Sequence, residues 1–286
     1  MTRLRLGGPI FERASSPEDW IRILKKKGYE AAYAPLGPEA ADSLIAEYRQ
    51  AAQENDILIA EVGAWLLHPL SEDPAIAREG IEKTAERLVF ADKIGARCCV
   101  NVSSSRGSLW DGPDARNLTD ETFFMVVESV KEILRLANPQ KACYALEMMP
   151  WMYPTGLEDM LRLMEAVDDP RFAVHYDPCN TVNTVDKYFH NGEMMEAFVE
   201  GLHDKILSIH CKDVELLPNM TMHFEERCPG DGSLEHDRLL KAVARLNPGI
   251  PIMLEHLPTE ALYDKAAAHL RSVAANNGIE FAECEK

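Results

Sequence analysis

The chain is poor in several features that would assign it elsewhere. Among its 286 residues, no apolar run approaches the roughly 18 that a membrane-spanning helix needs. Its seven cysteines include an adjacent pair, Cys98 and Cys99, but no Cys-x-x-Cys spacing. An odd, scattered set in a chain this long reads as reduced thiols in the cytoplasm rather than a disulfide framework. The opening from Met1 to Leu6 leads straight into a strand-like stretch, with no long apolar core or small-residue cleavage site, so no signal peptide is expected. Positive charge is scarce: 30 Lys and Arg stand against 47 Asp and Glu, a net charge of −17. Such a surface repels phosphate backbones and anionic membranes, so neither nucleic acid nor a membrane is an expected partner. The one basic cluster, Lys25-Lys26-Lys27, reads as a helix end that complements the helix dipole. No glycine-rich phosphate loop follows the first strand, which speaks against a nucleotide-binding sheet.

What is present is a steady alternation of short apolar runs with longer helical stretches. Ser16-Pro17-Glu18-Asp19 is a helix start, with Ser as cap, Pro in the first turn and acids beside it; Trp20, Ile23 and Leu24 follow at helical spacing, and Gly28 stops the helix. Similar patterns cover 39–54 and 74–95, a helix begins at Thr119, and further helices are predicted near 156–168, 192–203, 235–246 and 259–277. Between them lie eight candidate buried strands: Leu4–Leu6, Ala31–Ala34, Ile57–Val62, Cys98–Val102, Cys143–Met148, Phe172–Tyr176, Ile206–His210 and Ile252–Glu255. Strict strand-helix alternation eight times over predicts a closed (β/α)8 barrel of parallel strands, one domain spanning residues 1–286.

In such barrels chemistry sits where strands end and loops begin. The last four strands each end on a metal-competent side chain: Glu147, Asp177, His210 and Glu255. Strand alternation turns Ala145, His175, Ser208 and Met253 inward one layer below. Three carboxylates and an imidazole make an oxygen-dominated site suited to one divalent ion, Mn²⁺ first, with Mg²⁺, Co²⁺ or Zn²⁺ as alternatives, and leave coordination positions open. Without a cation, three packed acids would repel one another strongly.

The motifs Leu146-Glu147, Tyr176-Asp177-Pro178, His210-Cys211-Lys212-Asp213, Pro229-Gly230-Asp231-Gly232 and Leu254-Glu255 resemble the xylose isomerase-like barrel superfamily of sugar isomerases and epimerases, which includes ketose 3-epimerases, inosose isomerases and inosose dehydratases. The resemblance covers essentially the whole chain, with the specific motifs in its second half. It implies that Glu147, Asp177, His210 and Glu255 hold the metal and that the two glutamates are the catalytic acid-base pair. Two departures follow. Many ketose epimerases carry a histidine three residues after the strand-six aspartate, where this chain has Asn180. The substrate-binding arginine shortly after the strand-seven histidine has no match; the nearest is Arg227, at the far end of a long loop from Leu216 to Cys228. Both hint at a substrate other than a simple ketose.

The expected reaction is proton abstraction next to the carbonyl of a keto-sugar or keto-polyol, giving isomerisation or epimerisation. The main alternative is a lyase that expels a group β to that carbonyl. A nuclease resembling endonuclease IV calls for more histidines and a basic surface, and a non-catalytic sugar or metal binder is the remaining alternative. Candidate substrate residues are His175, Asn180, Lys212, Arg227, Trp110 and His68. His175 reads first as a core histidine and otherwise as a support for the ligand layer, Lys212 equally as an ion pair with a nearby acid, and Trp65, His68, Trp110 and Trp151 equally as a wall against a sugar ring or as local packing. A homo-oligomer is compatible with the sequence, which does not specify one.

Overall fold

The structure, a computed structural model, describes residues 3–282. Its strands are β1 (Arg3–Gly7), β2 (Ala31–Tyr33), β3 (Leu58–Gly63), β4 (Cys98–Val102), β5 (Cys143–Glu147), β6 (Phe172–Tyr176), β7 (Ile206–Cys211), β8 (Asp213–Leu217), β9 (His223–Arg227), β10 (Pro251–Leu254) and β11 (Glu280–Phe281). Strands β1 to β7 and β10 pair in parallel in sequence order, and β10 closes onto β1, so the barrel is complete. The α-helices are α1 (Pro17–Lys27), α2 (Asp42–Glu54), α3 (Pro74–Ile94), α4 (Asp120–Ala137), α5 (Leu157–Val167), α6 (Pro178–Thr181), α7 (Val185–Phe189), α8 (Asn191–Leu202), α9 (His236–Leu246) and α10 (Glu260–Asn276).

The local chemistry explains the element ends. Ser16 accepts the Asp19 N–H, Pro17 opens α1, and Gly28 closes it at φ 66°, a left-handed conformation that a side chain would strain. Strand residues alternate between two environments. Leu4, Leu6, Leu146, Val174, Ile209 and Leu254 join the large apolar layer beneath the helices. The opposite faces fill the lumen with small clusters, one of Cys98, Val100, Ala145 and Ala173, the other of Ala31, Ala60 and Met253. This predominantly small-residue lumen leaves its upper layer to polar side chains.

One expectation is corrected. The segment from Leu216 to Cys228, read as a long loop, is largely an antiparallel hairpin: β8 pairs β9 with Leu216 opposite Phe224 and Asp213 opposite Arg227. Much of this ribbon is solvent-accessible, so it lacks the continuous apolar run that marks a barrel strand. The Asp213 carboxylate accepts the N–H groups of Gly230, Gly232 and Leu234, which ties the Pro229–Gly232 turn to the base of the hairpin.

Candidate metal centre

Glu147 is the last residue of β5, while Asp177 and Glu255 directly follow β6 and β10, and His210 lies near the end of β7. Parallel register brings these ends to one rim of the barrel. Each of the four offers an atom within 4.8 Å of the others. His210 Nδ1 lies 3.0 Å from Glu255 Oε2 and 3.5 Å from Glu147 Oε1. Asp177 caps α6, its Oδ1 accepting the N–H groups of Cys179 and Asn180, which turns Oδ2 the other way. His210 Nδ1, Asp177 Oδ2 and Glu255 Oε2 are all buried without a hydrogen-bond partner. Orphaned atoms of one cluster, from a donor set of three carboxylates and an imidazole, fit a divalent ion.

Lys212 reaches into the same cluster. Its ammonium lies 3.0 Å from Asp177 Oδ2 and 2.8 Å from Glu255 Oε2, so of its two sequence readings the ion pair is realised. The electrostatics follow from burial and these neighbours. Burial pushes Asp177 up to about 6, with Lys212 working against it. Burial also raises Glu147, but the His210 charge outweighs it and holds the carboxyl down at about 2. Glu255 is likewise depressed against its burial by His210 and Lys212. Burial disfavours the charged forms of His210 and Lys212, yet the surrounding acids hold both well above their ordinary values. The cluster thus balances its acids with an imidazolium and an ammonium.

The other predicted residues separate into two groups. Asn180 belongs to the site: its amide donates to Glu147 Oε1 at 3.1 Å and to the Met148 carbonyl. His175, fully buried, stands edge-on to His210 with ring centres 4.0 Å apart. Elsewhere, His68 bonds the Ser105 carbonyl through Nε2 at 2.7 Å, and the backbone carbonyl of Trp110 accepts the Ser105 N–H, so the His68 side chain and the Trp110 main chain brace the loop after β4. Arg227 is paired with Glu215 and Glu225 within the hairpin rather than with the ligand cluster.

Three residues were not predicted at the site. Trp65, by sequence a sugar-ring wall or local packing, contacts the cluster itself: its indole N–H donates to Glu147 Oε2 at 3.1 Å and its ring lies 5.8 Å from His210. Gly63 permits this, because a Cβ there would stand 1.9 Å from the Trp65 ring. Tyr33 flanks His210 from β2 and donates to the Leu254 carbonyl. Glu61 is fully buried beneath, with Oε1 2.8 Å from His210 Nε2. Its one sequence signal is an acid inside an otherwise apolar strand.

A scan of protein families matches residues 20–273 to the xylose isomerase-like TIM barrel. The chain belongs to that family. The family's solved structures share the fold at low identity. A 3-keto-D-glucoside 4-epimerase from E. coli superposes with TM-score 0.68 and 15% identity over 94% of this chain and 100% of that one. A D-psicose 3-epimerase from Clostridium cellulolyticum gives 0.65 and 15% over 97% and 98%. Endonuclease IV from Thermus thermophilus gives 0.71 and 15% over 95% and 99%. No curated protein matches the chain by sequence. The family fold therefore carries both sugar epimerases and a nuclease. No helix among the described residues is long and apolar enough to cross a membrane.

Proposed function

We propose that the chain is a divalent-metal-dependent isomerase or epimerase that moves a proton next to the carbonyl of a keto-sugar or keto-polyol. The supporting observation is the pair of carboxylates flanking His210 Nδ1, Glu255 at 3.0 Å and Glu147 at 3.5 Å, at the rim formed by the carboxyl ends of the strands. Glu147, Asp177, His210 and Glu255 would hold a divalent ion, which would supply positive charge against a carbonyl oxygen and so acidify the neighbouring C–H. The protein supplies the proton transfer. One glutamate, ionised, takes the C–H proton; the other, when it carries a proton, delivers it to the opposite face.

The two are furnished differently. Glu147 is held at both oxygens by Asn180 and Trp65, which fixes its orientation. Glu255 is the more accessible of the two and lies in an ion pair with Lys212, whose ammonium stands 2.8 Å from Oε2. Trp65 and Tyr33 supply aromatic surface beside the cluster, apt for the C–H face of a sugar ring and for excluding water. One histidine among the four ligands and a charge of −17 argue against the nuclease chemistry of the family.

A lyase is the second reading, and Asn180 favours it: its carboxamide is spent on Glu147 and, unlike an imidazole, relays no proton to a substrate hydroxyl. The test is a panel of keto-sugars and keto-inositols in D₂O with Mn²⁺ added and with chelator. Metal-dependent deuterium incorporation with an isomeric product supports the proposal. An eliminated product selects the lyase, and no exchange or turnover across the panel refutes both.

A further inference from the structure

Glu61 is completely buried yet stands outside the four-ligand cluster. Oε1 faces His210 Nε2 at 2.8 Å, while Oε2 accepts the Ser208 hydroxyl at 2.7 Å and lies 3.3 Å from His175 Nδ1. The residue reaches this place through an irregularity in β3. Ile59 pairs with Ala32, but the next pair is Glu61 with Tyr33, so Ala60 is an inserted residue. Ile57 and Ile59 pack under the helices, and simple alternation would send Glu61 there too; past the insertion it is Val62 that joins that layer, and Glu61 turns inward.

A carboxylate only accepts, so His210 Nε2, which meets Glu61 at 2.8 Å, carries a proton; the second proton of the imidazolium, on Nδ1 beside Glu255, is the one a bound ion would displace. A metal-ligating imidazole nitrogen must carry none, and the nitrogen aimed at Glu255 and Glu147 is Nδ1. We infer that Glu61 is the positioning residue of the metal centre: it holds the remaining proton of His210 on Nε2 and so presents Nδ1 as the ligand atom. His175, edge-on to His210 and against the same carboxylate, blocks rotation of the ring. Glu61, His175 and His210 are themselves close enough to hold an ion, but Ser208 and His210 already occupy both oxygens of the carboxylate, which makes it a hydrogen-bonded cradle. The inference rests on the metal reading above and adds to it a residue from the first half of the barrel.

The test is Co²⁺ titration of the full chain in wild type, Glu61→Gln and Glu61→Asp, each first shown to be folded by its circular dichroism. Glu61→Gln keeps the shape and removes the charge; it should weaken Co²⁺ binding by about 10–100-fold, and Glu61→Asp should recover part of the loss. Proton NMR of the Co²⁺-loaded wild type should show one slowly exchanging, ion-shifted N–H from His210 Nε2, which Glu61→Gln displaces or broadens. Unchanged Co²⁺ affinity in folded Glu61→Gln overturns the proposal. A weakened affinity with that resonance unmoved overturns it as well, since the effect is then one of charge alone. Should Glu61→Gln fail to fold, Ser208→Ala, which keeps the charge but frees one carboxylate oxygen, should weaken Co²⁺ binding by a smaller factor, and wild-type affinity there overturns the proposal. Wild type that takes up no Co²⁺ refutes the metal reading itself, and this proposal with it.

Discussion

Replacing Lys212 with methionine removes the ammonium from between two buried acids and leaves the side-chain volume nearly intact. The ammonium sits 3.0 Å from Asp177 and 2.8 Å from Glu255, with its side chain 2% exposed. At an effective dielectric of about 20, each contact attracts by about 6 kcal/mol before desolvation is set against it. Breaking one side of a buried pair costs about 3–5 kcal/mol net, because the abandoned carboxylates stay buried. For a chain of this size each kcal/mol moves the melting temperature by roughly 2 °C, so metal-free Lys212→Met should melt about 6–10 °C below wild type. A divalent cation in the cluster replaces the missing charge. Saturating Mn²⁺ should therefore narrow the gap, and the variant should bind the ion more tightly than wild type. The assay is thermal melting with chelator and across an Mn²⁺ series. A metal-free variant that melts with wild type, or a gap that Mn²⁺ leaves unchanged, would refute the reasoning.

Three further outcomes are expected. Glu147→Gln and Glu255→Gln keep one metal-capable oxygen but lose basicity, so each should retain metal and lose roughly 10²–10⁴-fold in kcat; the variant lacking the base should also stop exchanging the substrate's α-proton in D₂O, and near-wild-type turnover in both would discard the proton-transfer assignment. Arg227→Ala breaks only ion pairs on the partly exposed hairpin, so it should cost under about 1 kcal/mol and leave kcat/KM unchanged; a tenfold loss of kcat/KM, about 1.4 kcal/mol of transition-state binding, would return Arg227 to the substrate. Burial pushes the Glu30 carboxyl up to about 7 from its ordinary 4.5, with the Leu6 N–H pulling the other way. The folded chain therefore favours the protonated form, a contribution complete below about pH 4.5 and lost as the pH rises through about 7. Glu30→Gln should be more stable than wild type at pH 8 by up to roughly 3 kcal/mol and no more stable at pH 4; a gain equal at both pH values counts against a titrating carboxyl.

How much of this was legible depends on the range of each interaction. Strand and helix positions rest on local chemistry, and the chain states them openly: Ser16, Pro17 and Gly28 bound α1, and β4 and β6 run over the residues that composition alone predicts. The gathering of the four candidate ligands was legible for a related reason. Each falls at or next to the end of an apolar barrel strand, and successive parallel strands bring such ends to one rim. The hairpin of β8 and β9 was not legible, because a half-exposed ribbon leaves no apolar pattern.

Through periodicity and strand-end chemistry, the sequence by itself determined the barrel and the four metal-competent side chains that gather at one rim. Only the tertiary structure decided what surrounds that set. Lys212 was balanced between a substrate contact and an ion pair until Asp177 and Glu255 were brought to it from other strands. His68 went to the Ser105 carbonyl, on a loop after a different strand, and Arg227 to Glu215 across its own hairpin, contacts that no local pattern announces. Glu61 went unread for a physical reason of the same kind. Its direction depends on one inserted residue, Ala60, and an insertion that reverses the alternation is a property of how β2 and β3 register, which neither strand carries alone.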